Sequence, residues 1–384
     1  MKKKMLILVV SYLLVAVLAS TATLALDAWI DGNRVTKLEQ LEELILTRFI
    51  GEAESEGLRD AAADGMIAAL DDRWSYYMSA GEFKSHMETA NNAYVGIGIT
   101  ITVEEGTEGF LVMVVNEGGP AEEAGIRVGD AIVAVEGVST IGMEASGARD
   151  LVRGEPGTQV LITFVREGEE RTVSVTRREV KTPVATYQML PGKVGLVTIE
   201  NFDSRCCQES VEAIEALLGE GAEKLIFDVR NNPGGYAAEM VELLDYLLPE
   251  GDLFRTVDYR GKENVDRSDA ACLDIPMAVL VNGGSYSAAE FFAAAMREYD
   301  AAVIVGEHTS GKGHFQYTYE LVDGSAVALS VGRYYTPKGV SLEKVGITPD
   351  VEVTVTQEQE AGIYYGTLSP EEDPQLQAAL EALK

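Results

Sequence analysis

Gly283-Gly284-Ser285-Tyr286-Ser287-Ala288-Ala289-Glu290 follows the apolar run Met277–Val281. Gly306-Glu307-His308-Thr309-Ser310-Gly311-Lys312-Gly313 follows the apolar run Ala302–Val305. Each segment is a Gly-rich turn at the end of a strand of the fully buried type. The first turn places Ser287 at the start of a helix predicted over 287–299. The second places a lysine between two glycines. A serine hydroxyl attacks poorly without a base. A lysine serves as that base when burial or nearby dipoles destabilise its ammonium form. The two segments together suggest a serine nucleophile with a lysine base, and a hydrolase that does not need histidine.

Outward from this pair, strand runs at 194–199, 224–229, 277–281 and 302–305 are separated by helices near 208–218, 236–248 and 287–299. That alternation predicts an α/β layer with mainly parallel strands. Further strands are expected at 316–321 and 326–335. Ser369-Pro370-Glu371-Glu372 reads as a capping-box-like start to a last helix carrying Leu376, Leu380 and Leu383. Upstream, from about 92 to 180, short β-rich runs at 94–103, 110–115, 131–135, 160–166 and 171–177 enclose two short helices, at 118–125 and 145–152. This reads as a compact separate module. Leu38, Leu41, Ile45 and Phe49 lie at helical spacing in 34–50. An Ala-rich helix is expected over 56–70, then a loop over 71–78.

The chain has 384 residues and a net charge of −31 at pH 7. That acidity argues against nucleic acid as a partner, because phosphate binding needs clustered Lys and Arg. Cys206, Cys207 and Cys272 are the three cysteines. They form no CxxC and no metal-type cluster, and are expected to be small buried residues. Lys2-Lys3-Lys4 precedes an apolar run from Met5 to Leu26, which is long enough to span a bilayer. We expect an uncleaved signal anchor in preference to a removed signal peptide. Either places the bulk of the chain outside the cytoplasm.

Several further segments join the opening pair. They are Leu70-Asp-Asp-Arg-Trp-Ser-Tyr-Tyr-Met78, Gly96-Ile97-Gly98-Ile99, Ala124-Gly-Ile-Arg-Val-Gly-Asp130, Val152-Arg-Gly-Glu-Pro-Gly-Thr158 and Asp228-Val-Arg-Asn-Asn-Pro-Gly-Gly235, followed by Tyr334-Tyr-Thr-Pro-Lys-Gly339 and Gly346-Ile-Thr-Pro-Asp-Val-Glu-Val353. In this order and spacing the chain resembles the C-terminal processing peptidases, or tail-specific proteases, over about 34–355.

The resemblance implies a PDZ module joined to an α/β serine protease core of crotonase/Clp-like type. It divides the chain into a signal anchor (1–26), an N-terminal helical region (27–90), a PDZ domain (91–180), the protease core (181–355) and a helical tail (356–384). It implies Ser287 as nucleophile, Lys312 as base and Gln316 as the residue orienting the lysine. It implies the Ala288 amide and that of Gly234 or Gly235 as oxyanion donors. Gly96, Ile97, Gly98 and Ile99 would take a peptide's C-terminal carboxylate and its strand, and Arg153 would link module and core. No metal or organic cofactor is implied. The implied partners are proteins or peptides with exposed C-termini and, through the N-terminal helix, a membrane. A homodimer through the terminal helices is left open, because helices at both ends have no evident core to cover. Ser310 stands where the family commonly has an aromatic residue. Glu298 is assigned no catalytic role.

Two other readings compete. Gly306 to Lys312 has the spacing of a phosphate-binding loop, but Gly313 replaces the Ser or Thr that would hold magnesium, and a strand rather than a helix is expected next. A catalytically idle scaffold that binds tails through the PDZ module is the other alternative. A tail-peptide cleavage assay separates it from the protease.

Overall fold

The computed structural model describes residues 36–103, 108–116 and 118–384. The expected anchor at 1–26 lies outside these. Among the described residues no helix is long and apolar enough to cross a membrane. The described residues divide into two compact units, one of 36–79 with 320–328 and the other of 80–319 with 329–384.

In the first unit, helix α1 (Lys37–Arg48) starts at a capping box in which Thr36 and Glu39 exchange hydrogen bonds. Helix α2 (Ser55–Ala68) follows, tied to α1 by Arg59 Nε on Glu42 Oε1 at 2.9 Å. Neither helix buries a residue. Strand β1 (Tyr76–Met78), in the segment expected to be a loop, pairs antiparallel with residues 326–328. Tyr77 Oη donates to Asp60 Oδ1 at 2.7 Å and fixes β1 to α2.

The second unit opens with α3 (Ala80–Ala90). The run expected as one strand over 94–103 is two, β2 (Ala93–Gly96) and β3 (Ile99–Thr102). Gly98 separates them at φ +76°, a conformation that glycine adopts without the Cβ penalty. The β-rich module continues through β4 (Phe110–Val115), α4 (Pro120–Glu123), β5 (Ala131–Val135), β6 (Val138–Ser139), α5 (Ala145–Val152), β7 (Gln159–Arg166) and β8 (Glu169–Thr176). Its main sheet runs β3-β4-β5-β7-β8, so β3 is an edge. Ile97, Phe110, Val112, Ile132, Val160, Ile162 and Phe164 form its core. Strand β9 (Arg178–Lys181) pairs with β2 and closes the module's stem.

The larger sheet runs β10 (Ala185–Leu190), β11 (Val194–Ile199), β12 (Lys224–Asp228), β15 (Met277–Val281), β16 (Ala302–Gly306), β19 (Val351–Glu352). Every neighbouring pair in it is parallel except β10 with β11. Strands buried on both faces read as unbroken apolar runs, which is why the sequence located the central ones. One face carries α6 (Cys206–Gly219), α7 (Ala237–Leu247) and α8 (Ala288–Glu298), with Phe227, Val279, Leu243, Phe291 and Phe292 in one core. The hairpin β13 (Gly251–Asp258) and β14 (Glu263–Ser268) pairs through β13 with residues 332–335 of β18 (Ala326–Tyr335). Strand β17 (His314–Glu320) also pairs with β18.

The other face corrects an expectation. After α9 (Gln357–Tyr364), the last helix, α10 (Pro374–Ala382), does have a core to cover. Leu376, Ala379 and Leu383 pack on Ile226, Ala278, Leu280 and Val305. Its cap is Asp373 rather than Ser369, accepting from the amides of Gln375 and Leu376. The cysteine expectation also needs amendment. Cys206 is buried and Cys207 half-buried, but Cys272 is exposed. Burial pushes the Cys207 thiol up to about 11, with Glu242, Glu239 and Asp245 adding to the effect.

Candidate active site

Ser287 is the last residue before α8 and has φ 57°, ψ −125°, a strained conformation for a residue with a Cβ. The strain is held by the turn on each side. Ser285 Oγ donates to Val229 O at 2.6 Å and accepts from Asn282 N at 3.0 Å. Asn282 Oδ1 accepts from Asn231 N at 2.9 Å, and Asn282 Nδ2 donates to Asn231 Oδ1 at 2.9 Å. Tyr286 N donates to Asn232 O at 3.2 Å. Residues 229–235, after β12, and 282–287, after β15, are therefore laced into one body at the C-terminal ends of adjacent parallel strands. Open α/β sheets place their ligands at such ends.

Gly234 is in contact with the nucleophile. A Cβ there would lie 2.8 Å from Ser287 Cβ and 2.9 Å from Ala288 N. Its own N–H is already donated to Asn232 Oδ1 at 2.8 Å. The N–H of Ala288, in the first turn of α8, has no intrahelical acceptor.

Glu290 is the residue whose role the sequence reading missed. It is fully buried and collects four donors. Thr309 Oγ1 gives to Oε1 at 2.5 Å, Gly311 N to Oε1 at 2.8 Å, Lys312 N to Oε2 at 2.9 Å and Ser287 N to Oε2 at 3.2 Å. One carboxylate oxygen thus bridges the backbone amides of Ser287 and Lys312. Burial pushes the Glu290 carboxyl above the usual range, and these hydrogen bonds oppose the rise. A signal was available: Ser287 and Glu290 have the Ser-x-x-Glu spacing of a capping box. The Glu290 half of that motif is in place here, and the same carboxylate also suspends the lysine loop.

The lysine loop has other supports. Ser310 N donates to Ser285 O at 3.2 Å, Gly313 N to Glu343 Oε2 at 2.8 Å and Tyr334 N to Gly313 O at 2.8 Å. Lys312 Nζ lies 5.7 Å from the centroid of the Tyr286 ring. Gln316, on β17, donates through Nε2 to Ser330 Oγ at 3.0 Å and to His314 O at 3.1 Å. Tyr334 packs its ring against Phe254, Phe291 and Phe315, with centroids 5.0–5.2 Å apart. Burial raises its phenol, and the Ser287 side chain, within hydrogen-bonding reach, opposes that rise. A strand follows Lys312, as expected, so the loop does not open a helix as a phosphate-binding loop must. Glu298 caps the 336–338 turn, accepting from Thr336 Oγ1 and Lys338 N.

In the PDZ-like module, Ile97 O accepts from Ala121 N at 2.9 Å and Gly98 O from Asn116 N at 3.0 Å, which leaves the turn running into edge strand β3. Arg153 ends α5, pairs with Glu88 Oε2 at 2.8 Å and lies over the Tyr94 ring at 5.4 Å. It therefore joins the module's α5 to α3 and β2.

Comparison with known proteins agrees with this architecture. Peptidase family S41 matches residues 193–353, a PDZ domain residues 111–166, and the N-terminal domain of the activating protease CtpB residues 18–81. The chain belongs to the S41 peptidases and is a serine-type peptidase of the C-terminal processing class. Among its relatives, the carboxy-terminal processing protease CtpA of Bacillus subtilis is 33% identical over 353 residues, 88% of this chain and 75% of that protein. A probable CtpA-like serine protease of Staphylococcus saprophyticus is 32% identical over 90% of this chain and 72% of its own length. A putative S41 protease from Bacteroides fragilis shares the fold, with a TM-score of 0.55 at 18% identity over 89% of this chain and 96% of that one.

Proposed function

We propose that this peptidase cuts polypeptides near their C-termini with Ser287 as nucleophile and Lys312 as general base, through an acyl-enzyme. The observation that carries the reading is the bridge at Glu290 Oε2, which accepts from Ser287 N and Lys312 N at 3.2 and 2.9 Å. It sets the two main chains side by side, so the lysine amine has only its own side chain's length to reach the hydroxyl. Lys312 takes the Ser287 proton as Oγ attacks the scissile carbonyl, then passes it to the leaving amine. Gln316 orients the lysine side of the site from β17. Ala288 N–H and Gly235 N–H receive the oxyanion; Gly234 N–H is committed to Asn232. Losing one such donor typically costs about 3–4 kcal/mol in the barrier. A fluorogenic tail peptide tests the assignment. Wild type cleaves it, and Ser287→Ala and Lys312→Ala remain folded but do not. Full activity in Lys312→Ala would overturn the assignment.

In the same reading the PDZ domain spans 91–180, the core 181–355 and the helical tail 356–384. Gly96, Ile97 and Gly98 take the terminal carboxylate of a substrate on backbone N–H groups. The tail then adds as a strand beside β3, starting at Ile99. Arg153 transmits occupancy through Glu88 and Tyr94; unchanged peptide-stimulated turnover in Arg153→Ala would discard that link. Residues 1–26 direct export and anchor the chain in the membrane, with the catalytic core outside the cytoplasm. Since α10 is used within its own core, a homodimer would use α1 and α2.

A further inference from the structure

Both chain connections of the PDZ-like module meet at Asn92. This residue precedes β2, and its carbonyl accepts from Thr182, just after β9, through the amide at 2.9 Å and the hydroxyl at 3.3 Å. Asn92 has φ 44°, in the left-handed region that asparagine tolerates better than most residues. Its side chain turns to the core. Nδ2 donates to Asn201 Oδ1 at 2.7 Å and to Asp203 Oδ2 at 2.9 Å, and Asn201 Nδ2 returns a bond to Asn92 Oδ1 at 3.1 Å. Asn201 and Asp203 are both buried. Arg205 closes the group, giving to Asp203 Oδ2 at 3.1 Å and to Thr182 O at 3.0 Å.

Between Asn201 and Asp203 stands Phe202, with no exposed surface. Its amide donates to Gly234 O at 2.8 Å, and its carbonyl accepts from Tyr236 N at 2.7 Å. It therefore brackets Gly235. A Cβ on Gly235 would lie 2.3 Å from Phe202 O, so the two backbones have no slack between them. A reciprocal pair of planar amides fixes orientation as well as distance, and here it is planted one residue from Phe202.

We propose that the Asn92–Asn201 amide pair positions the oxyanion turn, holding Phe202 so that it presents Gly235 N–H toward Ser287. The inference rests on the Ser287–Lys312 reading above. Neither asparagine touches the reacting atoms; both are positioning residues acting through Phe202.

A tail-peptide aldehyde is the probe. Ser287 Oγ adds to its carbonyl carbon, the C=O becomes an alkoxide resting on the oxyanion donors, and the Oγ proton moves to Lys312. The matching peptide acid binds without that adduct. In the full chain, Asn92→Gly keeps the left-handed backbone accessible while removing the amide, and Asn201→Ala removes the partner if the first variant does not fold. Each is expected to weaken the aldehyde about tenfold or more while leaving the acid's affinity unchanged, and to lower kcat with little change in KM. Equal losses for aldehyde and acid, or no loss for either, would overturn the proposal and leave the pair a structural stem. Ser287→Ala keeps the two failures apart. If it cleaves the tail peptide as wild type does, the Ser–Lys reading has failed, and the inference with it.

Discussion

Two loops converge on Ser287, and they are secured differently. On the oxyanion side, residues 229–235 are laced to the nucleophile turn by Asn282 with Asn231, by Ser285 with Val229 and by Tyr286 with Asn232. On the base side, Thr309, Gly311 and Lys312 all donate to one carboxylate, Glu290. The first is redundant, so loss of one bond leaves others in place. The second has further ties at Ser310 and Gly313, but three of its donors gather on one buried carboxylate, which also takes the Ser287 amide and so bridges nucleophile and base. Redundancy suits a hole that must hold backbone dipoles still. Concentration ties the spacing between the Ser287 and Lys312 amides to the state of a single group.

The contrast can be broken most forcefully at Glu290. Glu290→Gln presents an amide N–H₂ to groups that are themselves donors. Steady-state cleavage should lose about a hundredfold or more in kcat, and the unfolding free energy, read by denaturant titration, should drop by about 2 kcal/mol. An active, stable Glu290→Gln would show that the ties at Ser310 and Gly313 suffice to hold the base loop. Gly235→Ala attacks the other side where redundancy offers no help, because its Cβ would collide with Phe202 O and φ is 148°. There kcat should fall by roughly ten- to a hundredfold, with KM little changed.

Asn282→Ala should be milder if the lacing is redundant. Stability should fall by about 1–2 kcal/mol while kcat changes only a few-fold, read by denaturant titration and initial rates. A loss as deep as that of Glu290→Gln would erase the distinction between the two sides. The smallest effect is in pH. Burial raises the Glu290 carboxyl above the ordinary glutamate value. A carboxyl raised in the folded state contributes stability that is fully present below that value and is lost as pH rises through the raised one. Wild type should therefore lose stability relative to Glu290→Gln over that window, by less than about 1.4 kcal/mol per pH unit. Parallel denaturant midpoints for the two proteins would remove Glu290 as the titrating group.

The ends of the chain show how far apolar periodicity reaches as a guide. Leu38 and Leu41 in α1, and Leu376 and Leu383 at the last helix, have the same kind of spacing. Yet the first two are about half exposed and the second two are buried. Burying a leucine is worth roughly 1.5–3 kcal/mol, but spacing shows only that a helix has an apolar face, not what covers it. What seats α10 is remote. Arg230, just past β12, pairs with Asp228 at 2.6 Å and Asp373 at 2.8 Å, and reaches Gln375 Oε1 at 3.0 Å. Burial would lower the Arg230 guanidinium, but the Asp228 and Asp373 carboxylates outweigh it and push it up. The hairpin β13–β14 and strand β10 were missed because partly exposed strands lack unbroken apolar runs.

The amino-acid order alone determined the central parallel strands, the serine at a helix start and the lysine between glycines. Those signals are local: apolar runs, turn residues and their spacing. Tertiary structure alone decided that Glu290 joins nucleophile to base, that Asn232 takes the Gly234 amide, and that Asn92 lies beside Asn201. Each depends on hydrogen bonds between segments that are distant in sequence or turned by the fold. A short-range pattern records which groups can donate and accept, and the packed chain settles which of them meet.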